Sequence, residues 1–493
     1  MKLRYFFVPC LATLPLGVEA HGEKGNKEEK PNILFICIDD LRRDLGCYGT
    51  NVKTPHLDRL AAVGSLFFNH YVQVPTSGAS RASMLTGHLP RTAGDINNSA
   101  CVLRIAGRKD KSGPESLFHH LRNNGYRTVG IGKISHSADG YIYDYTAPQS
   151  NRLEMPESWD EFLFDAGQWG TGWNAFFGYA DGTNRQSRKF QVRPYECAPC
   201  DDEGLPDGLT AKLAVEKLRT LAAADEPFCL AVGFFKPHLP FVSPKKYWDL
   251  YDEKEIGISP MPEIPENIYP SLSLHNSGEF GGYKMGDEKA NLTHRVSDDY
   301  ALKLRHAYYA CMSYTDAQVG KVLQALEESG KMENTIIIVW GDHGWHLGDF
   351  RVWGKHTLLE TALSSAFIMK VPGGKKGVIN KRIVSAVDIY PTLLDLCGIA
   401  APEGLDGKSF RRLLTKPKTR KWEDAAYSAF GAGCSVRVPG YRLTRYYNKG
   451  KWYDVLFEYK NGRYETENIA EKHPEIVKKL IPLWEKGNLI KRK

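Results

Sequence analysis

The sequence holds no apolar run of the roughly 20 residues needed to cross a bilayer, and so offers no membrane-spanning helix. No second C-x-x-C accompanies Cys197-Ala198-Pro199-Cys200, which argues against a four-cysteine zinc site. No block of Lys and Arg is dense enough to mark a nucleic-acid surface. Internal repeats and long low-complexity segments are also missing, so the chain is neither a repeat array nor a solvated tail. What remains is ordinary for a globular protein: 42% hydrophobic residues, 25% charged, and a formal charge of +7 over 493 residues. That length exceeds one compact core, and one large domain with one small one is expected. The modest positive charge suits an anionic substrate without requiring nucleic acid.

Lys2 and Arg4 precede an apolar run from Tyr5 to Val18, and Val18-Glu19-Ala20 supplies a small-residue cleavage site. Residues 1–20 therefore read as a signal peptide and residues 21–30 as a flexible lead, which implies export. Cys10 would leave with the signal, and nine of ten cysteines would remain. An odd number leaves at least one free thiol. Cys197 and Cys200 are expected to form a local bridge, and Cys37 and Cys229, inside apolar runs, to be buried thiols.

Asn32 to Ile38 is a continuous apolar run, as a strand covered on both faces requires. Similar runs span Thr128 to Ile131, Phe228 to Phe235, Thr335 to Trp340 and Ala366 to Val371. Helical patterns lie between them at His56 to Val63, Glu115 to Asn123, Leu209 to Ala223, Tyr300 to Glu328 and Ile389 to Leu396. This alternation predicts an α/β domain over residues 31–432, with a large, mostly parallel sheet between helices. Residues 433–493 change character. Ser435 to Tyr447 and Lys451 to Tyr459 suggest antiparallel strands, Asn461-Gly462 a hairpin turn, and Pro474 to Lys486 a packing helix. A small α+β subdomain with an antiparallel sheet is expected there.

In such sheets, functional residues gather where strands end. Asp39-Asp40 ends the first strand, and Asp342-His343 follows the strand Thr335 to Trp340. Three carboxylates and an imidazole converging there would form a hard, oxygen-rich cation site that suits calcium better than zinc. Each pair alone would also serve as a helix cap or a solvated turn.

Ser77-Gly78-Ala79-Ser80-Arg81, followed by Ala82-Ser83-Met84-Leu85-Thr86-Gly87, resembles the signature of the type I, formylglycine-dependent sulfatases of the alkaline phosphatase superfamily. Gly130-Ile131-Gly132-Lys133-Ile134-Ser135-His136 resembles the G-K-x-x-H segment of that family. Phe235-Lys236-Pro237-His238-Leu239-Pro240-Phe241 resembles the K-P-H-x-P-F element of its iduronate-2-sulfatase and choline-sulfatase branch. Gly341 to Gly348 and Trp353-Gly354-Lys355 resemble its metal and second-lysine motifs. The likeness runs in family order from Pro31 onward and is weakest at 140–202 and 257–297, loops expected to shape the substrate pocket.

The resemblance implies an alkaline phosphatase-like fold and a sulfuric ester hydrolase. Ser77 would be oxidised to formylglycine (3-oxoalanine), because an unactivated serine hydroxyl is a poor nucleophile. Asp39, Asp40, Ser77, Asp342 and His343 would hold one Ca2+. Lys133, Lys355 and the cation would neutralise sulfate oxygens. Arg81 would bond the hydrate, His136 would take a proton when sulfate leaves, and His238 would protonate the leaving oxygen.

Ser at 77 and Ala79 in place of the family's commoner Cys and Pro resemble serine-type bacterial sulfatases. Those are matured by an anaerobic radical enzyme, which implies a bacterial, periplasmic or secreted protein. The implied substrate is a sulfated saccharide, with exo removal of a uronic acid 2-O-sulfate as the branch's version. Two alternatives stay open: a metal-dependent phosphatase or phosphodiesterase of the same superfamily using unmodified Ser77, and a non-catalytic glycan-binding protein.

Overall fold

The computed structural model describes residues 1, 30–105, 113–460 and 462–490. The expected signal peptide and lead, with Cys10, thus fall almost wholly outside the described residues. The predicted central strand is β1, Asn32–Ile38, buried along its whole length. Leu34, Ile36 and Ile38 join one apolar cluster and Ile33, Phe35 and Cys37 another on the opposite face. The strand is therefore covered on both sides, as its unbroken apolar run requires.

The large sheet continues with β2 Ser65–Tyr71, β3 Arg127–Gly132, β4 Glu161–Leu163 and β5 Phe228–Phe234. It is completed by β6 Thr335–Gly341, β7 Phe367–Lys370 and β8 Val378–Ser385. The eight strands run in the order β8-β2-β7-β6-β1-β5-β3-β4. All neighbours are parallel except β7, which is antiparallel to both β6 and β2.

On one face lie α1 Pro55–Val63, α4 Pro206–Ala222 and α5 Asp298–Glu328; on the other lie α2 Ser77–Thr86, α3 Leu117–Asn123 and α6 Ile389–Leu396. The long α5 starts where the sequence caps it. Ser297 Oγ accepts from Tyr300 N–H, and Asp298 and Asp299 occupy the positive first turn.

Register brings the chemistry together. Ile38 pairs with Phe234 on one side and Gly341 on the other. Asp39, Phe235 and Asp342 therefore leave the sheet at one edge. Lys133 joins them from β3, its N–H donating to Gly233 O at 3.1 Å. A Cβ at Gly233 would lie 2.1 Å from Lys133 O, so only glycine allows this approach.

The C-terminal sheet has four antiparallel strands in sequence order, β9 Ala426–Phe430, β10 Gly433–Val438, β11 Tyr441–Asn448 and β12 Lys451–Glu458. It starts ahead of residue 433. The helix α7, Pro474–Gly487, lays Val477, Leu480 and Trp484 on Val436, Leu443 and Leu456.

Three expectations change here. The single strand foreseen from Ser435 to Tyr447 is broken at Pro439-Gly440, where Pro cannot donate to the ladder and Gly440 turns at φ 83°. The hairpin turn before β12 is Lys449-Gly450, both at positive φ, as a two-residue turn between twisted strands requires. Asn461 lies outside the described residues, and no described residue beyond Glu458 extends the sheet. Finally, Cys197 and Cys200 are unbridged. Cys197 is exposed on the strand Tyr195–Ala198, while Cys200 packs towards Gly204. Cys37 and Cys229 are fully buried thiols.

Candidate active site

Helix α2 begins at Ser77, and every residue from Ser77 to Thr86 is buried. A Cβ at Gly78 would meet Asn98 O at 2.2 Å, so glycine there lets the helix start sit against the neighbouring loop. Ser77 Oγ is 3.0 Å from Asp39 Oδ1 and 3.0 Å from His343 Nε2. His343 Nδ1 lies 3.0 Å from Gly344 O. The proton belongs on Nδ1, which leaves Nε2 with a lone pair toward Ser77.

Ser80 donates its hydroxyl to Asp342 O at 2.5 Å. Arg81 is fully buried and binds both sides of the cup. Its Nε donates to Asp342 Oδ2 at 3.0 Å and its Nη2 to Asp39 Oδ1 at 3.1 Å. Its Nη1 donates to Lys133 O at 2.6 Å and Ile134 O at 3.2 Å.

Asp39, Asp40, Asp342 and His343 are buried, with one donor atom from each lying within 4.8 Å of the others. Three carboxylates and one imidazole, with the Ser77 oxygen beside them, fit a metal site by the chemistry of the donor set. Asp40 sits at φ 56°, an uncommon conformation that Asp tolerates better than most residues. It is held by Asp342 Oδ1, which accepts its N–H at 2.9 Å, and by Tyr308 O–H, which donates to its carbonyl at 2.5 Å. Burial, reinforced by Asp39, raises the Asp342 carboxyl to about 7. Burial also raises Asp40, against the pull of Lys355.

Two lysines flank these carboxylates. Lys133 Nζ donates to Asp39 Oδ2 at 3.0 Å and lies 4.7 Å from the centre of the Phe176 ring. Lys355 Nζ donates to Asp40 Oδ1 at 3.0 Å and lies 5.1 Å from the Trp345 ring. Burial alone would lower Lys355, but Asp40 and Glu279 raise it, so it stays charged.

His238 is placed by its own loop. Asp207 accepts the N–H groups of Phe235 and Lys236 at 2.8 Å each, and Lys236 Nζ donates to His238 O and Pro240 O. His238 Nδ1 gives its hydrogen to Leu239 O at 2.6 Å, and Nε2 lies 2.9 Å from Glu279 Oε1 and 3.7 Å from Asp40 Oδ2. The 2.9 Å contact requires a proton between the two atoms. Burial, then Lys355, pull His238 down to about 4. Yet Lys355 and His238 hold Glu279 well below the usual carboxylate range despite its burial. We place the proton on His238 because both ring nitrogens face acceptors.

Sequence reasoning missed Glu279. It lies in the short helical turn Gly278–Gly281, inside the stretch where the family likeness is weakest, and no motif marks it. It also reaches Lys355 at 3.5 Å, joining His238 and Lys355 across the cup.

His136 stands apart from the cluster. No hydrogen bond joins it to Ser77; its Nδ1 is buried without a partner, and its ring lies 5.4 Å from Trp173. It lines a cavity of about 980 Å3 together with Tyr145, Trp173, Lys189, Phe190 and Lys284. Most of this wall comes from the loops predicted to shape a pocket.

Residues 31–399 match the sulfatase family, and residues 348–486 match the C-terminal region of N-sulphoglucosamine sulphohydrolase. A sulfatase of Formosa agariphila is 30% identical over 506 residues, spanning 98% of this chain and 92% of that protein. Iduronate 2-sulfatase of Mus musculus is 29% identical over 433 residues, spanning 80% of this chain and 74% of that one. A phosphonate monoester hydrolase of Agrobacterium radiobacter shares the fold, with a TM-score of 0.74 at 23% identity over 93% of this chain and 96% of that one. With the cup of aspartates behind Ser77 and the match over residues 31–399, the chain belongs to the sulfatase family of sulfuric ester hydrolases.

Proposed function

We propose that this enzyme removes sulfate from sulfated saccharides, with Ser77 oxidised to formylglycine and one Ca2+ held by Asp39, Asp40, Asp342, His343 and residue 77. The observation that carries this reading is the Ser77 oxygen, 3.0 Å from both Asp39 and His343. It stands where one hydroxyl of the hydrated aldehyde would stand. The hydrate would supply two hydroxyls on one carbon, one to attack sulfur and one to lose its proton as sulfate is released, while calcium would draw charge from the sulfate oxygens.

The remaining steps belong to this chain's own side chains. Arg81 fixes Asp39 and Asp342, and its Nη2 shares Asp39 Oδ1 with the Ser77 hydroxyl. Lys133 and Lys355 present ammonium groups to sulfate oxygens as negative charge shifts onto them. His238 gives its Nε2 proton to the leaving sugar oxygen, with Glu279 holding that proton in line. His136, at the cavity wall, takes the proton whose loss frees sulfate; burial keeps its imidazole neutral and able to accept.

The about 980 Å3 cavity has the size and the aromatic and lysine wall for an anionic sugar. The likeness to iduronate 2-sulfatase favours exo cleavage of a uronic acid 2-O-sulfate. Ser77 is 3% exposed, which supports modification by an anaerobic serine-type maturase before the chain folds. Export to the periplasm or medium and a catalytic region distinct from the C-terminal sheet complete the reading. No helix among the described residues is long and apolar enough to cross a membrane.

The phosphatase alternative is weighed by the metal site. Two-zinc enzymes need further His and Asp ligands, and among the described residues one cluster of this kind is present. The deciding experiment joins the mass of the Ser77 peptide to activity. Oxidation removes two hydrogens, so the peptide from active enzyme is about two mass units light. Full activity with intact serine sinks the formylglycine reading and promotes the phosphatase one.

A further inference from the structure

A second cavity, of about 750 Å3, opens between β2 and β8 at the edge of the large sheet and the C-terminal antiparallel sheet. None of the catalytic residues described above lines it. Its wall carries six cationic side chains, Arg42, Arg43, Lys381, Arg382, Arg437 and Arg463, against three carboxylates. Each carboxylate already has an arginine. Asp44 pairs with Arg42 at 2.8 Å, Asp424 with Arg382 at 2.9 Å, and Glu360 with Arg437 at 3.3 Å.

Arg43, Lys381 and Arg463 are thus in excess. Lys381 is exposed at the rim and makes no ion pair among the described residues. Arg463 reaches only Ser364 Oγ at 3.2 Å and Glu360 at 3.8 Å.

Arg43 is the decisive residue. It is 7% exposed, yet its Nε and Nη1 are buried with no hydrogen-bond partner. Its guanidinium is flanked by the rings of Phe68 at 5.1 Å and Tyr48 at 5.4 Å. Rings stabilise the cation but offer no in-plane acceptor for its N–H groups. Burial lowers the guanidinium from the ordinary arginine range, and Tyr71, Glu360, Tyr48 and Asp44 offset it only in part. A buried cation in this condition lacks a counter-ion. A planar fork of N–H donors matches an oxyanion carrying two or more oxygens. The volume exceeds what a lone sulfate fills, and Tyr459 and Tyr464 add a partly apolar wall suited to a sugar ring.

We propose that this cavity is a second anion-binding site in which Arg43 receives a sulfate or carboxylate group, either free sulfate or one borne by an acidic saccharide. The site stands independently of the chemistry assigned to Ser77. Crystals soaked in selenate, and separately in a sulfated disaccharide, are expected to show an oxyanion on Nε and Nη1 of Arg43. Selenate alone at that position identifies a free-sulfate site, and the disaccharide's sulfate there identifies a saccharide site.

In Arg43→Met that density and the matching phase of the binding isotherm disappear, while turnover of a small aryl sulfate stays within about twofold of wild type. Arg463→Ala, at the accessible rim, weakens the same phase by about tenfold and provides the test should Arg43→Met fail to fold. An anion in the catalytic cup with none at Arg43 overturns the proposal, and so does an isotherm unchanged in both variants.

Discussion

The molecule buries two clusters of charge, and they are built to opposite ends. Around Glu360, under the C-terminal sheet, the carboxylate is surrounded by donors. Glu360 accepts from Tyr71 O–H at 2.7 Å and Arg442 Nη2 at 2.6 Å, and its own N–H donates to Glu465 at 2.9 Å. Arg437 and Arg442 hold the Glu360 carboxyl down to about 2 against its burial. Its neighbour Glu465 goes the other way, raised to about 7 by burial, which spares the cluster a second negative charge.

In the catalytic cup, three aspartates crowd one another at a sheet edge, and burial raises two of them even with Arg81, Lys133 and Lys355 beside them. The first cluster already supplies its carboxylate with counter-charge and ties two sheets together. The second is short of positive charge at its centre, where a cation fits. Similar residues thus serve stability in one place and chemistry in the other, and substitutions should separate the two.

The largest effect should come from Asp342→Ala. Losing a side chain common to Asp40, Arg81 and the proposed cation should cut activity on the order of a thousandfold or more, with the proposed calcium lost and the fold kept. Sulfate release, metal content and near-ultraviolet circular dichroism are the measurements. Two zinc ions per chain, or unfolding with loss of the circular dichroism signal, would dissolve the contrast between the clusters.

Glu360→Gln is the mirror test. It should cost about 3 kcal/mol of stability, because two buried arginines lose their counter-charge, while kcat at 25 °C is retained. Glu360 has a folded value of about 2 against an ordinary 4.5, so its contribution is complete above about 4.5. It is lost as pH falls toward 2. Chemical denaturation at pH 3 and 6 should therefore show wild type losing stability that the variant never had. A variant as stable as wild type at both pH values but slow in turnover would reverse the assignment.

Most of the cup was legible because its residues sit in contiguous motifs directly after apolar runs. Asp39-Asp40 and Asp342-His343 mark strand ends, and strand register then fixes their meeting. Glu279 was not legible, because its role depends on a loop folding back from the weakest part of the likeness. Strands β2 and β8 were missed because Asn69, His70, Lys381 and Arg382 interrupt their apolar pattern, and pairing rather than composition makes them strands. The turn at Lys449-Gly450 was passed over for Asn461-Gly462, a stronger dipeptide signal with no strand beyond it among the described residues. The Cys197–Cys200 bridge failed because spacing in sequence says nothing of side-chain direction.

Within the cup itself the comparison can be sharpened at His238. His238→Ala should lower kcat on a sugar sulfate about a hundredfold, the lower end of what a general acid contributes. An aryl sulfate leaves as a weakly basic phenolate and should suffer far less. Equal losses on both would mark His238 as a sulfate-binding or structural residue.

The smallest and most telling change is Glu279→Gln. The amide keeps the shape but removes the charge that holds a proton on His238 at 2.9 Å and faces Lys355 at 3.5 Å. A hydrogen bond to a charged group contributes about 1.5 kcal/mol, so kcat on the sugar sulfate should fall about tenfold. If Glu279 acts through His238, the aryl sulfate should be nearly indifferent, and in a His238→Ala background the substitution should add little. If it acts through Lys355, both substrates should lose alike, and the loss should persist in that background. KM separates a third case: a rise in KM with kcat unchanged on both substrates would make Glu279 a wall of the sugar pocket. The double-mutant cycle on a matched pair of sugar and aryl sulfates decides among these. Only the first outcome leaves the His238–Glu279 pair as the proton donor.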